Sequence, residues 1–97
     1  MRLVGKRQLD DFGRRHAEIR APLDAWILEV EEAEWNGSAD IKARFPTASF
    51  LSENRVIFNI KGNKYRIVVA VKYDFFAVYI RFIGTHAEYD EIEAATI

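Results

Sequence analysis

Hydrophobic positions change their spacing once along this chain. In the first half they recur every third or fourth residue, in the second every other residue. Arg2-Leu3-Val4 reads as a short opening strand, after which a helix begins near Lys6 with Leu9, Phe12, His16 and Ile19 on one face. Pro22 suits the first turn of a second helix, where Leu23, Trp26, Ile27 and Val30 line one side and Glu29, Glu31, Glu32 and Glu34 cover the rest. Asn36-Gly37 ends that helix with residue types that accept a left-handed conformation. Ser38 then caps a short helical piece through Asp40, Ile41 and Ala43, which Pro46 terminates.

From Arg55 the period is two. Val56, Phe58 and Ile60 share one side of a strand, with Arg55, Ile57 and Asn59 on the other. Gly62-Asn63 has the composition of a hairpin turn, since both residues tolerate positive φ. The next strand sets Tyr65, Ile67, Val69 and Val71 against Arg66, Val68, Ala70 and Lys72. Asp74-Phe75 makes the second turn. The last strand sets Val78, Ile80 and Phe82 against Ala77, Tyr79, Arg81 and Ile83, so Tyr79 and Arg81 project together. The expected fold class is α+β in a single domain over residues 1–97: N-terminal helices on one face of a small antiparallel sheet, with a short C-terminal helix. The other sheet face is left for Lys61, Arg66, Tyr79 and Arg81. Thr85 to Glu88 fits a capping box, and on the helix that follows His86, Tyr89 and Asp90 stand at i, i+3 and i+4, neighbours on one side. Gly84 lets the chain swing off the strand.

With 97 residues, 49% of them hydrophobic, the chain makes one compact domain burying roughly 60–65% of its unfolded surface. The absence of cysteine excludes disulfides, thiolate metal sites and a cysteine nucleophile, in agreement with a cytoplasmic protein. No run approaches the ~18 apolar residues of a membrane span, so no membrane association is expected. The net charge of −1 hides a segregation: residues 55–86 carry six Lys/Arg against Asp74 alone, residues 21–54 carry a net −5 and residues 87–97 a net −4. A polyanion is therefore drawn to one surface rather than to the molecule as a whole.

Arg66 and Arg81 lie inside otherwise apolar strands, where a packing role is costly and an anion is the usual partner. The stretch FNIKGNKYRIVVAV, then YIRFIGTHAEYD, with DIKARFP upstream, closely resembles the HigB-type toxins of bacterial toxin–antitoxin modules, a branch of the RelE/ParE superfamily. The resemblance implies a RelE-like fold and ribosome-dependent endoribonuclease activity on mRNA, with no metal or organic cofactor. It also implies a helix-turn-helix, HigA-like antitoxin that binds and silences the toxin. By position in the matching motif, Arg66 and Arg81 inherit the phosphate-neutralising role, with Lys61, Lys64 and Tyr79 as further RNA contacts.

Metal-free RNA cleavage must deprotonate the 2′-OH, neutralise the phosphorane and protonate the leaving 5′ oxygen. Guanidinium forks match phosphate oxygens. His86 suits the acid–base work, because an imidazole near pKa ~6.5 exists in both protonation states at neutral pH. Tyr89 is placed to donate a hydrogen bond or orient a base, and Asp90 to fix the histidine's tautomer. Which group takes the 2′ proton is left open. Each residue has a competing structural role: ion pairs with the acidic final segment for Arg66 and Arg81, solvated turn positions for Lys61 and Lys64, a first-turn position for His86 and a core edge for Tyr89. His16, Trp26 and Trp35 read as packing residues. Two other functions compete: a non-cleaving, antitoxin-binding regulatory module, and a ParE-like inhibitor of DNA gyrase. Superfamily toxins tend to be strongly basic; a pI near 6.1 implies fewer phosphate contacts and a shallower salt dependence.

Overall fold

The helical half of the chain closes over one face of the strand half. The structure, a computed structural model, describes residues 1–97. Strand β1 (Arg2–Val4) leads into α1 (Lys6–Arg15), α2 (Arg20–Glu32) and α3 (Ser38–Arg44). Strands β2 (Ser49–Phe50), β3 (Arg55–Ile60), β4 (Tyr65–Lys72) and β5 (Ala77–Thr85) precede the short α4 (His86–Tyr89). The α+β class is as expected, but the sheet is larger and mixed. Its five strands run in the order β1-β5-β4-β3-β2, with β1 parallel to β5 and every other pair antiparallel. The two added strands are only three and two residues long. Such runs are too short to display a period of two, which is why β2 escaped the pattern.

The inner face carries the main core. Val56, Phe58, Ile60, Tyr65, Ile67, Val69 and Val71 meet Leu9, Phe12, Leu23, Trp26, Ile27 and Val30. Phe58 sits at its aromatic centre, with ring centroids 5.2 Å from Trp26, 5.0 Å from Phe45 and 6.3 Å from Trp35. His16 stacks on Phe12 at 4.1 Å, the core-edge position its place on the stripe suggested.

Helix ends depart from expectation. The stripe through Ile19 is not one helix: α1 stops at Arg15 and a 3-10 turn, Ala17–Ile19, precedes α2. The break falls at His16, whose φ of −131° and ψ of 76° lie outside the helical region, while Pro22, which has no N–H for the Glu18 carbonyl, is accommodated in the first turn of α2. Helix α2 ends at Glu32 through an extended Ala33, and Gly37 is extended rather than left-handed. Gly37, not Ser38, is the cap of α3; Ser38 is its first residue, and Asp40 accepts from the Asn36 N–H at 2.8 Å instead.

Strand faces match the alternation in β3 and β4 and fail in β5. Val69 pairs with Ile80 and Val68 with Phe82, so Arg81 is an extra residue, a β-bulge. Beyond it the alternation inverts. Val78 and Ile80 enter the inner core, but Phe82 joins the outer cluster and Ile83 packs inward. The shared face expected for Val78, Ile80 and Phe82 is therefore overturned, and with it the unbroken alternation that set Tyr79 beside Arg81. In the first hairpin the positive φ angles fall on Lys61 (54°) and Gly62 (67°), not on Asn63. The second turn is a 3-10 turn, Tyr73–Phe75, followed by a left-handed Phe76.

The outer face is not left open. Residues of the C-terminal segment, Tyr89, Ile92, Ala94 and Ile97, pack over Ile57, Val68 and Phe82. Arg55 anchors the segment by donating from Nη2 to the Ile97 carbonyl at 2.5 Å.

Candidate active site

Arg66 lies on the outer face of β4, and its cross-strand partner on β5 is Gly84. A Cβ at Gly84 would stand 2.5 Å from Phe82 Cζ and 2.9 Å from Glu88 Oε1, so any side chain here would push both aside. Gly84 does not release the chain from the sheet, since β5 continues to Thr85. Its missing side chain instead allows Phe82 and Glu88 to close on the strand.

Helix α4 starts where β5 ends, fixed by the capping box expected from the sequence. Thr85 Oγ1 accepts from the Glu88 N–H at 3.1 Å, and Glu88 Oε1 accepts from the Thr85 N–H at 2.8 Å. The His86 N–H donates to the Lys64 carbonyl at 3.0 Å, tying the helix to the β3–β4 turn. A four-residue helix contributes almost no stability of its own, so these three bonds hold His86 in place.

Four side chains converge on the Arg66 guanidinium and its neighbour. Arg66 Nη2 lies 3.2 Å from Asn63 Oδ1 and 3.2 Å from His86 Nε2. Its Cζ stands 4.6 Å over the Tyr89 ring, a cation–π contact. His86 Nδ1 is 3.2 Å from Asp90 Oδ2. A guanidinium has donors and no acceptor, so the Arg66 contact assigns Nε2 as the unprotonated nitrogen and Nδ1–H as the donor to Asp90. The enclosed Arg66 Nε–H has no partner at all. A buried donor left unpaired is unfavourable until an acceptor, a water or a ligand oxygen, meets it.

Arg66 pairs with no carboxylate, and the ion pair with the acidic final segment is not formed. Its contacts are an amide, a neutral imidazole and an aromatic ring, none of which cancels its charge. His86 and Asp90 are 42% and 61% exposed, so the cluster is open to a ligand. The largest groove, about 560 Å³, lies elsewhere, lined by Arg2, Glu31, Glu34, Phe75 and Phe76 among others. It shares no residue with this cluster, and a polymer laid across a surface needs no enclosed pocket. No three His, Cys, Asp or Glu side chains gather as a metal site.

The remaining candidates stand apart. Tyr79 pairs with Ala70, four residues along β4 from Arg66, or about 13 Å. Arg81 is exposed on its bulge and makes no hydrogen bond or ion pair. Lys61 and Lys64, expected beside the turn as phosphate contacts, point their ammonium groups at Glu18, at 3.6 and 3.8 Å. The Tyr65 hydroxyl donates to the same carboxylate. These contacts hold the Glu18 carboxyl below its ordinary pKa, the Tyr65 hydrogen bond most of all and then Lys64 and Lys61. The same bond, with burial, raises that of Tyr65.

Residues 19–92 match the model of a family described as the HigB toxin, RelE-like toxic component of a toxin–antitoxin system. The chain belongs to the HigB toxin family. Similar proteins include the mRNA interferase toxin HigB of Escherichia coli K12 and the mRNA interferase HigB of Shigella flexneri. Each is 27% identical over 92 residues, spanning 93% of this chain and 88% of the relative. As a HigB-family toxin the chain implies an antitoxin partner. Every side chain of the Arg66 cluster falls inside the matched segment, whereas Glu18 lies one residue before it. Sequence reasoning read Asn63 only as a turn residue and missed its bond to Arg66. The signal was its spacing, three residues before an arginine that faces the same turn. None of the helices is long and apolar enough to cross a membrane.

Proposed function

We propose that this HigB-family toxin is a ribosome-dependent endoribonuclease that cuts mRNA during translation, using acid–base chemistry that needs no metal. The observation that carries this reading is the line Arg66–His86–Asp90: a cation without a counter-ion, an imidazole whose tautomer is fixed, and a carboxylate that supports its charging. In the RNA-free chain Arg66 donates to His86 Nε2. A phosphate entering the cluster offers Arg66 charged acceptors, and the guanidinium turns to it, freeing the Nε2 lone pair. That nitrogen takes the 2′-OH proton as the 2′ oxygen bonds to phosphorus. Asp90 steadies the resulting imidazolium through Nδ1–H. The charge of the phosphorane falls on Arg66, which the Tyr89 ring holds from beneath. Asn63 sets the guanidinium plane. The P–O5′ bond breaks and the 5′ oxygen is protonated from solvent reaching the half-exposed cluster, leaving a 2′,3′-cyclic phosphate and a 5′-hydroxyl.

Arg81 is a second guanidinium available to phosphate, since it is exposed and unpaired on its bulge. Tyr79 would contact RNA farther along the sheet, and Lys61 and Lys64 at the turn. A helix-turn-helix, HigA-like antitoxin silences the toxin in the cytoplasm. The relatives named as mRNA interferases support the substrate.

Mapping mRNA 5′ ends in a translation reaction, with and without the protein, tests the proposal. Cuts on translated mRNA that vanish in His86→Ala are expected. Undamaged mRNA together with tight antitoxin binding would leave a regulatory module, and arrest of gyrase supercoiling without RNA cuts would leave a ParE-like inhibitor.

A further inference from the structure

The β3–β4 turn separates two sets of donors. On the outer side Asn63 holds Arg66; on the inner side Lys61, Lys64 and Tyr65 meet Glu18. Resting on the nuclease reading, we propose that Lys61, Lys64 and the Tyr65 hydroxyl form a second phosphate-binding position across the turn from the Arg66 cluster, occupied in the RNA-free chain by the Glu18 carboxylate, which RNA displaces.

Three observations support it. The donor set is one that suits a phosphate: two ammonium groups on one carboxylate oxygen, Oε2, and a phenol on the other. The phenol is fixed, because the Tyr65 ring is 4% exposed and packs edge-on to Phe12 and His16 at 5.8 Å each. Lys61 keeps a left-handed φ of 54°, a conformation that costs energy in any residue with a Cβ. That turn backbone sets where the Lys61 stem leaves the chain, and its ammonium group reaches Glu18 at 3.6 Å.

The carboxylate is replaceable. Glu18 comes from the 3-10 turn between α1 and α2, and its side chain is 48% exposed, as those of Lys61 and Lys64 are 40% and 63% exposed. Ion pairs this exposed contribute little, so an RNA phosphodiester, a monoanion with two charged oxygens like the carboxylate and with further phosphates beside it on the same strand, displaces Glu18 without disturbing the fold. The Lys64 carbonyl receives the His86 N–H, so the turn that carries the lysines is tied through its backbone to the helix that carries the imidazole. Glu18 thereby lowers the toxin's hold on any RNA not already positioned for cleavage.

The test measures binding of a 12-nucleotide single-stranded RNA from 50 to 200 mM salt, on a His86→Ala background so that nothing is cut. Glu18→Gln is expected to bind more tightly, with a salt slope steeper by ~0.7 for each further phosphate that the lysines neutralise. Its advantage then grows roughly two- to threefold per such phosphate between 200 and 50 mM. Adding Lys61→Ala and Lys64→Ala must cancel the tighter binding. Glu34→Gln, the same charge change at an exposed residue with no ion pair, must leave the slope alone. An unchanged slope in Glu18→Gln, an equal effect in Glu34→Gln, or no binding by any variant at 50 mM overturns the proposal. Cleavage in the translation reaction reads the nuclease assignment separately: intact cleavage with no slope effect sinks this inference alone, and a slope effect without cleavage sinks the assignment alone.

Discussion

The cations on the two sides of the β3–β4 turn differ in what they face. Arg66 faces an amide, a neutral imidazole and an aromatic ring, so its charge is oriented but not spent. Lys61 and Lys64, within five residues of it, share one carboxylate. The outer face can keep an uncompensated guanidinium because little is buried there: its cluster has three buried residues, against the helix-covered core of the inner face. Counting the basic residues of this segment as one patch therefore overstates what is available to RNA.

The comparison is broken most severely at His86. His86→Ala is expected to lower the rate of mRNA cutting by about 10²–10⁴ while leaving circular dichroism unchanged. The next largest loss is at Arg66. Arg66→Lys keeps the charge but cannot reach Asn63 Oδ1, His86 Nε2 and a phosphate together from one ammonium, so a loss approaching the ~10²–10³ of Arg66→Ala is expected. Cleavage by Arg66→Lys near the wild-type rate would mean that charge alone matters, and the contrast with the lysines would collapse. Arg81→Ala sharpens it, being expected to cost less than Arg66→Ala in the same assay, because Arg81 touches none of the clustered groups.

Much of this was legible in the sequence. The faces of β3 and β4 follow from strict alternation, and the α4 cap from Thr85 and Glu88 three residues apart. The juxtaposition of His86 with Asp90 follows from helical spacing. What was not legible depends on tertiary pairing. The bulge at Arg81 appears only in the pairing of β5 with β4, and nothing in AVYIRFIGT marks where a residue is inserted. The cover over the outer face comes from the weakly periodic tail, whose Ile92, Ala94 and Ile97 become apolar contacts only when α4 turns the chain back. The Glu18 contact joins segments 43 and 46 residues apart, a separation at which local patterning carries no information.

A smaller effect concerns the cap. Thr85→Ala removes the acceptor for the Glu88 N–H and should cost about 0.5–2 kcal/mol by urea denaturation. Because α4 carries His86, cleavage should fall by more than stability alone accounts for. Equal loss of both, or neither, would mean the cap does not set the imidazole.

The smallest effect lies on the lysine side and is read through pH. The Glu18 carboxyl has its folded pKa lowered from 4.5, so its contribution to stability is present above 4.5 and lost as pH falls through the lower folded value. Tyr65 has its folded pKa raised from 10.0, so its contribution is present below 10.0 and lost as pH rises through the raised value. The bond between them thus stabilises a window bounded by acid on one side and alkali on the other. Urea midpoints across that range should show an acid shoulder that Glu18→Gln removes and an alkaline shoulder that Tyr65→Phe removes. Because Glu18 is half-exposed, both shoulders should shrink as salt is raised. Arg66 has no titrating carboxylate to match, so replacing it should leave the acid shoulder where it was; a shift there would tie the two sides of the turn into one charge network and dissolve the distinction between them.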